Sequence, residues 1–411
     1  MKLAIYNLLI LLLIPVFQFR ILLKSFSDKD YRTNLSQRYG KNLRSINCEK
    51  KKIIWFHAVS LGEVIGSQNI IQLLLKSHDV VLTTTTPTGF RKAQEIYKDT
   101  IAINYAPWDL NIFVNRFLDF YQPEALLLFE TEIWPAMISM SKKKNIPVVL
   151  VNGRLSLKSY NAYLRVSWFL KSILQMIDFI FVQAPQHRER FIQLGVKKEK
   201  IDVGGSVKFD APGLNPQNLD LPRFILGAST HAGEEEIMLK AFQKINTKHT
   251  HRLFICPRHP ERAREVLALA NKMNFKAQLY SQLGLEQYEV CIIDSIGLLP
   301  DFYQGADLAF VGGSLVPRGG HNLIEPAVLG TPIIIGKHTF NFEEITADFI
   351  KEGACLLVHD ENELYLAMES ILKDEKVRSG LKENAKDVVA LNQGSTDTQV
   401  SYILNILGAE H

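Results

Sequence analysis

Ser60, Gly62 and Glu63 lie just beyond an apolar run, Ile53–His57, in the segment WFHAVSLGEV. A carboxylate at such a strand-to-helix turn serves as a general base once burial lifts its pKa toward neutrality. It serves equally to stabilise the first turn of its own helix through the dipole, and both readings stay open here. FETEIWP adds Glu130 and Glu132 at another strand end, with Trp134 beside them; paired carboxylates suit sugar hydroxyls or acid–base work. NGRLS supplies Asn152, Arg154 and Ser156, and Arg154 with Lys158 suits either an acceptor phosphate or a surface salt bridge. TTTTPTG (83–89) offers hydroxyls to a ligand or to the following helix, with Thr88 the expected cap.

Residues 306–336, ADLAFVGGSLVPRGGHNLIEPAVLGTPIIIG, carry the most specific pattern. A strand at Leu308–Val311 runs into Gly312 and Gly313, then Gly319 and Gly320, then a helix expected to start at His321–Asn322. Glycines let the backbone approach a ligand, and a helix N-terminus offers unpaired N–H groups to a phosphate. Glu325, one turn past Asn322, is placed for ribose hydroxyls. The pattern is not the GxGxxG dinucleotide motif; it suits a sugar nucleotide. Nearby, GSVKFD gives Ser206 and Lys208, GASTHAGEE gives Ser229, Thr230 and His231, and PRHPER gives Arg258 and His259. A guanidinium at a strand end is a natural phosphate ligand. His231, His259 and His321 are dispersed without metal-ligand spacing, so neither a metal nor a cofactor is expected.

The elements that must hold these residues alternate between strand and helix, the mark of parallel sheets covered by helices. Strands are expected at 53–57, 80–84, 125–129, 148–151 and 179–182, then at 224–228, 252–256, 290–293, 308–311 and 332–335. Helices include Phe90–Tyr97 and Pro135–Lys144. The proline-rich segment APGLNPQNLDLP reads as a linker. The expected fold is therefore α/β, two Rossmann-like domains facing a cleft: 25–212, a linker at 213–222, and 223–411. The helical tail after Asn362 is expected at the domain junction, its last helices packing on the N-terminal domain.

With 47% hydrophobic and 22% charged residues in 411, the chain is globular and long enough for two cores. A net charge of +4 does not argue for nucleic acid. Cys48, Cys256, Cys291 and Cys355 lack disulfide or metal spacing and are expected to be reduced. Leu3–Phe19 holds no charged residue, and its length as a helix is about 26 Å against a hydrocarbon core of about 30 Å. Without a small-x-small cleavage site, and with Arg20, Lys24, Lys29 and Arg32 following, residues 1–24 read as an uncleaved anchor helix with the basic side cytoplasmic.

HAVSLGE, TTTTPTG, ETEIWP, NGRLS, GSVKFD, STHAGEE, PRHPER, DLAFVGGSLVPRGGHNLIEPA and HTFNF together closely resemble the Kdo transferase family, in the family's order from about residue 3 to 345. The resemblance implies a GT-B fold and inverting transfer of 3-deoxy-D-manno-octulosonic acid (Kdo) from CMP-Kdo to a lipid A precursor at the cytoplasmic face of the bacterial inner membrane. It implies Glu63 as the base. Arg258, Ser314, Gly320, Asn322 and Glu325 would hold the CMP part, with Lys208 and Ser229 bordering the same pocket. Glu130, Glu132 and Arg154 would meet the acceptor. Leu298 stands where many relatives carry a glutamate, which argues against a polar contact from that position; Pro317 stands where an acid is common and carries little weight. Two rival readings are another membrane-associated GT-B enzyme using a UDP-sugar and a two-lobed periplasmic sugar-binding protein.

Overall fold

The computed structural model describes residues 2–26, 28–46, 52–210, 216–245, 250–284 and 287–408; Cys48, Glu49 and the first three residues of the expected linker lie outside them. The chain divides into one unit of residues 1–210 with 392–411 and a second of residues 211–391. In the first, β1 (Ile53–His57), β2 (Asp79–Thr84), β3 (Ala102–Tyr105), β4 (Ala125–Phe129), β5 (Val148–Gly153), β6 (Phe179–Val182) and β7 (Ile201–Val203) form a parallel sheet ordered β3-β2-β1-β4-β5-β6-β7. Alternate residues feed opposite faces: Ile53 and Trp55 join one core cluster, Ile54 and Phe56 the other. Burial on both faces is why these strands read as unbroken apolar runs.

The second unit repeats the scheme with β8 (Phe224–Thr230), β9 (Arg252–Pro257), β10 (Ala277–Leu279), β11 (Val290–Ile292), β12 (Leu308–Val311), β13 (Ile333–Gly336) and β14 (Cys355–Val358), ordered β10-β11-β9-β8-β12-β13-β14. All pairs are parallel. Residues 216–222 carry no helix or strand, and Leu219 and Leu221 pack on this unit's core. Cys256, Cys291 and Cys355 are free thiols.

The last helix, Ser395–Ile406, belongs to the first unit. Gln399 Oε1 accepts the Asn152 amide at 2.9 Å, Tyr402 lies 4.2 Å from the Phe179 ring, and Asp210 accepts the amides of Gly394 and Thr396 at 2.7 and 2.6 Å. Helix α1 (Lys2–Lys24) is long and apolar enough to cross a membrane. It is also docked on the first unit: Tyr6 Oη donates to Asp109 at 2.7 Å, Asn7 Oδ1 accepts the Asn111 amide at 2.9 Å, and Phe17 stacks on Trp108 at 5.6 Å. Leu8, Leu12, Val16, Phe19 and Leu23 remain exposed.

Candidate active site

In the first unit the polar side chains collect beyond the carboxyl ends of β1 and β4. Ser60 N-caps α2 (Leu61–Gly66), its Oγ 3.4 Å from the Glu63 amide. Glu63 reaches back: Oε2 accepts the Val59 amide at 2.8 Å and Oε1 the Ser60 hydroxyl at 2.9 Å. This reciprocal S-x-x-E arrangement is a form of capping box, and it fixes the carboxylate in place. Glu63 is only 9% exposed. Burial first, then the charges of Glu132 and Glu130, push its pKa up to about 8. Burial likewise lifts Glu132 to about 7, against the pull of a 2.7 Å hydrogen bond from Trp134 Nε1. The edge of the His57 ring meets Trp134 at 6.1 Å. His57 itself is buried, bonded through Nδ1 to the Thr83 hydroxyl at 2.9 Å, and held neutral with its pKa down to about 4.

Glu130 adopts a left-handed φ of 61° and pairs with Lys208, Oε1 to Nζ 2.8 Å. Lys208 thus stands with the carboxylates of the first unit. The half-buried Arg154 accepts the Thr131 hydroxyl at its carbonyl. Asn152 Oδ1 accepts the Val207 amide at 3.2 Å, which ties β5 to the segment that carries Lys208. The cap of the helix Pro87–Tyr97 is Thr86, whose hydroxyl accepts from Gly89, and not Thr88, because Pro87 already occupies the first helical position.

In the second unit the turn after β12 is clamped by a residue that sequence reading did not single out. Glu234, fully buried at the start of the helix Glu234–Ile245, accepts the amides of Gly313 (2.7 Å), Ser314 (2.9 Å), Leu315 (2.9 Å) and His231 (2.9 Å). The amides of Gly313, Ser314 and Leu315 are therefore already taken, whereas the phosphate was expected at the helix start near His321–Asn322. Gly312 is required by close approach, since a Cβ there would lie 2.6 Å from the Ser229 carbonyl oxygen. Ser229, at φ 53°, sits where β8 shifts register against β9. Ser314 is buried, its hydroxyl donating to Val311 O at 2.5 Å and accepting the Gly336 amide at 2.8 Å, so it ties the turn to β13. We expect Glu234→Ala to leave four amides without acceptors and cost about 4 kcal/mol or more, a fall of roughly 10 °C in the Tm of this unit, read by calorimetry.

The helix expected from His321 is shorter, Ile324–Val328. Asn322 precedes it, its Oδ1 accepting the Ile324 amide at 3.0 Å and its Nδ2 lying 3.3 Å from Glu325 Oε1. Gly320, at φ 72°, donates its amide to Gly313 O at 2.8 Å. The amides of His321, Asn322 and Leu323 donate to no acceptor among the described residues. Burial holds the Glu325 carboxyl above its usual range against the pull of Asn322 and Arg258. His231 and His321 stack in parallel with their Nε2 atoms 3.1 Å apart, one donating to the other. His321 is pushed down to about 4 by burial, then by Arg258, His231 and His259. Arg258 is exposed and, among the described residues, has no side-chain hydrogen bond or ion pair. Arg318 and Arg262 also depress His231, and Arg262 is itself paired with Glu235 at 2.7 Å and Glu265 at 3.2 Å.

The first unit thus holds Glu63, Glu130 and Glu132 with Lys208, and the second holds arginines and histidines with Glu234, Glu235 and Glu325 among them. A family model described as 3-deoxy-D-manno-octulosonic-acid transferase (kdotransferase) matches residues 33–211, and one described as glycosyl transferases group 1 matches residues 236–388. The chain is 34% identical over 409 residues to 3-deoxy-D-manno-octulosonic acid transferase of Haemophilus influenzae, covering 95% of each chain. It is 30% identical over 380 residues to the enzyme of the same name from Bordetella pertussis, covering 86% of this chain and 87% of that one. Among solved structures it is similar to UDP-GlcNAc 2-epimerase of Neisseria meningitidis bound to UDP-GlcNAc, with a TM-score of 0.57 and 14% identity, over 86% of this chain and 100% of that one. At that identity the likeness speaks to fold alone, a GT-B arrangement of Rossmann-like units.

Proposed function

Because the chain belongs to the 3-deoxy-D-manno-octulosonic acid transferase family, we propose that it moves Kdo from CMP-Kdo to a lipid A precursor, with inversion and with Glu63 as general base. Membership makes it a glycosyltransferase and removes the periplasmic binding protein as a reading. The observation that carries the mechanism is the buried Glu63 carboxyl, pushed up to about 8 yet fixed by the Val59 and Ser60 bonds. A base of that pKa removes the acceptor hydroxyl's proton as the oxygen attacks the anomeric carbon. Each Glu63 oxygen keeps a lone pair for this, since a carboxylate accepts about four hydrogen bonds.

The first unit is read as the acceptor half, with Glu130, Glu132 and Arg154 beside the incoming sugar hydroxyls and Lys208 setting the position of Glu130. The second is read as the CMP half. Arg258 and the free amides of His321, Asn322 and Leu323 offset the charge of the departing CMP phosphate. Gly320, Ser314 and Ser229 shape the backbone around it, and Asn322 orients Glu325 toward the ribose hydroxyls. The anchor α1 and its basic flank are read as holding the enzyme at the cytoplasmic face of the bacterial inner membrane.

Incubation with CMP-Kdo, generated in situ, and tetra-acylated lipid A precursor tests the reaction by mass spectrometry. Gain of one or more Kdo masses with CMP release is expected; turnover of a UDP-sugar and none of CMP-Kdo overturns the donor. Glu325→Ala is expected to weaken CMP binding about tenfold, the worth of a hydrogen bond to a charged group. Calorimetric titration with CMP reads this, and unchanged affinity would remove Glu325 from the ribose.

A further inference from the structure

A cavity of about 190 Å³ lies wholly within the first unit, walled by α1 and by the loop after β2. Phe17, Arg20 and Lys24 of α1 line one side; Arg38, Thr85 and Trp108 line the other. Arg38 is only 5% exposed. Its guanidinium lies 4.4 Å from the Tyr105 ring centre and 5.2 Å from that of Trp108, and donates through Nη2 to Thr85 O at 2.8 Å. No carboxylate pairs with it among the described residues; the nearby Asp28 and Asp30 are paired with Arg91. Burial lowers its pKa to about 10, which leaves it a cation at neutral pH. A buried charge without a counter-ion is costly to hold, and the cost is relieved when an anion arrives.

Three buried polar atoms of residues lining this cavity have no hydrogen-bond partner among the described residues: Arg38 Nε, Thr85 Oγ1 and Trp108 Nε1. All three are able to donate, so they call for a ligand rich in acceptor oxygens. The exposed Arg20 and Lys24 add positive charge at the rim, Lys24 lying 5.5 Å over the Tyr31 ring. Val16, Phe19 and Leu23 form an exposed apolar surface on the adjoining side of α1, about a third of a turn round from the cavity-lining residues.

We propose that this cavity binds the phosphate headgroup of an anionic lipid, with Arg38, Thr85 and Trp108 on its oxygens and the hydrocarbon lying along α1. The apolar face of α1 argues for a lipid-borne phosphate over a free one, because a free ion has no use for it. The assignment holds whichever sugar the enzyme transfers.

The full-length protein, released from phosphatidylcholine vesicles containing a small fraction of phosphatidic acid, is examined by native mass spectrometry. Wild type is expected to retain phosphatidic acid about tenfold over phosphatidylcholine, and Arg38→Gln to lose that preference. Because Arg38 is buried and its loss can unfold the segment, the exposed pair Arg20→Gln/Lys24→Gln carries the test independently, with a several-fold loss expected. Thr85→Val should show a smaller loss in the same direction. Equal retention of the two lipids by wild type, or undiminished preference in the double variant, overturns the proposal. If inorganic phosphate alone raises the Tm as much as phosphatidic acid does, the ligand comes from solution and the lipid assignment fails.

Discussion

Glu63→Gln is expected to lower kcat by about 10²- to 10⁴-fold, the usual contribution of a positioned base, while CMP still binds. Glutamine is the informative replacement because glutamate and glutamine both serve at this position of a capping box. It retains an acceptor for the Val59 amide and a partner for Ser60, so α2 keeps its start. Alanine would remove the cap as well as the base and confound the two. A Glu63→Gln enzyme with near-normal kcat would leave Glu63 as a helix-capping residue only, the other role its place in the sequence suggested.

The same carboxyl predicts a pH profile. The base works deprotonated, and its pKa is raised to about 8. Hence kcat/KM should climb about tenfold per pH unit below 8 and level off above it. Glu132 is the largest charge acting on Glu63, so Glu132→Gln should move that limb toward lower pH; an unmoved limb would assign the titration to another group. Stability follows the opposite sense. A carboxyl raised on folding stabilises most below its unfolded pKa, and that contribution is lost as pH rises toward 8. The Tm of wild type should therefore fall with rising pH over this window more than that of Glu63→Gln.

The ten strands read from sequence are the inner strands of the two sheets, where burial on both faces demands an apolar run. The four missed, β3, β7, β10 and β14, are the edges of both sheets. They are three or four residues long. Asp202, Val203 and Leu357 face solvent, so the apolar run that marks an inner strand is broken in β7 and β14. The strand-end positions of the candidate residues were legible for the same reason as the inner strands, because a polar residue directly after an apolar run marks the sheet's carboxyl edge. Glu234 was not legible. Its bonds reach 79 to 81 residues along the chain, and a glutamate at a helix start ordinarily faces water. Arg38 in LSQRYG precedes the first strand and belongs to no strand end, so nothing local sets it apart.

Arg258→Gln should reduce kcat/KM for the nucleotide sugar about 10²- to 10³-fold, the range for loss of a donor aimed at developing charge. The reasoning starts from what surrounds the guanidinium. Its neighbours in charge are His231, His321 and Glu325, and only the last is acidic. Among the described residues this exposed guanidinium has no ion pair, and a phosphate would satisfy its fork of donors. Lysine should restore little, because a point charge does not replace two parallel N–H bonds. CMP affinity and kcat/KM should fall together if Arg258 binds the phosphate in both ground and transition states. A fall in kcat/KM with CMP affinity intact would place its role in the transition state alone. A readout without substrate checks the geometry itself. His321 is held near 4 by burial and then by Arg258, so Arg258→Gln should raise the His321 pKa in an NMR titration. An unshifted His321 would separate the two side chains and, with them, the proposed phosphate site.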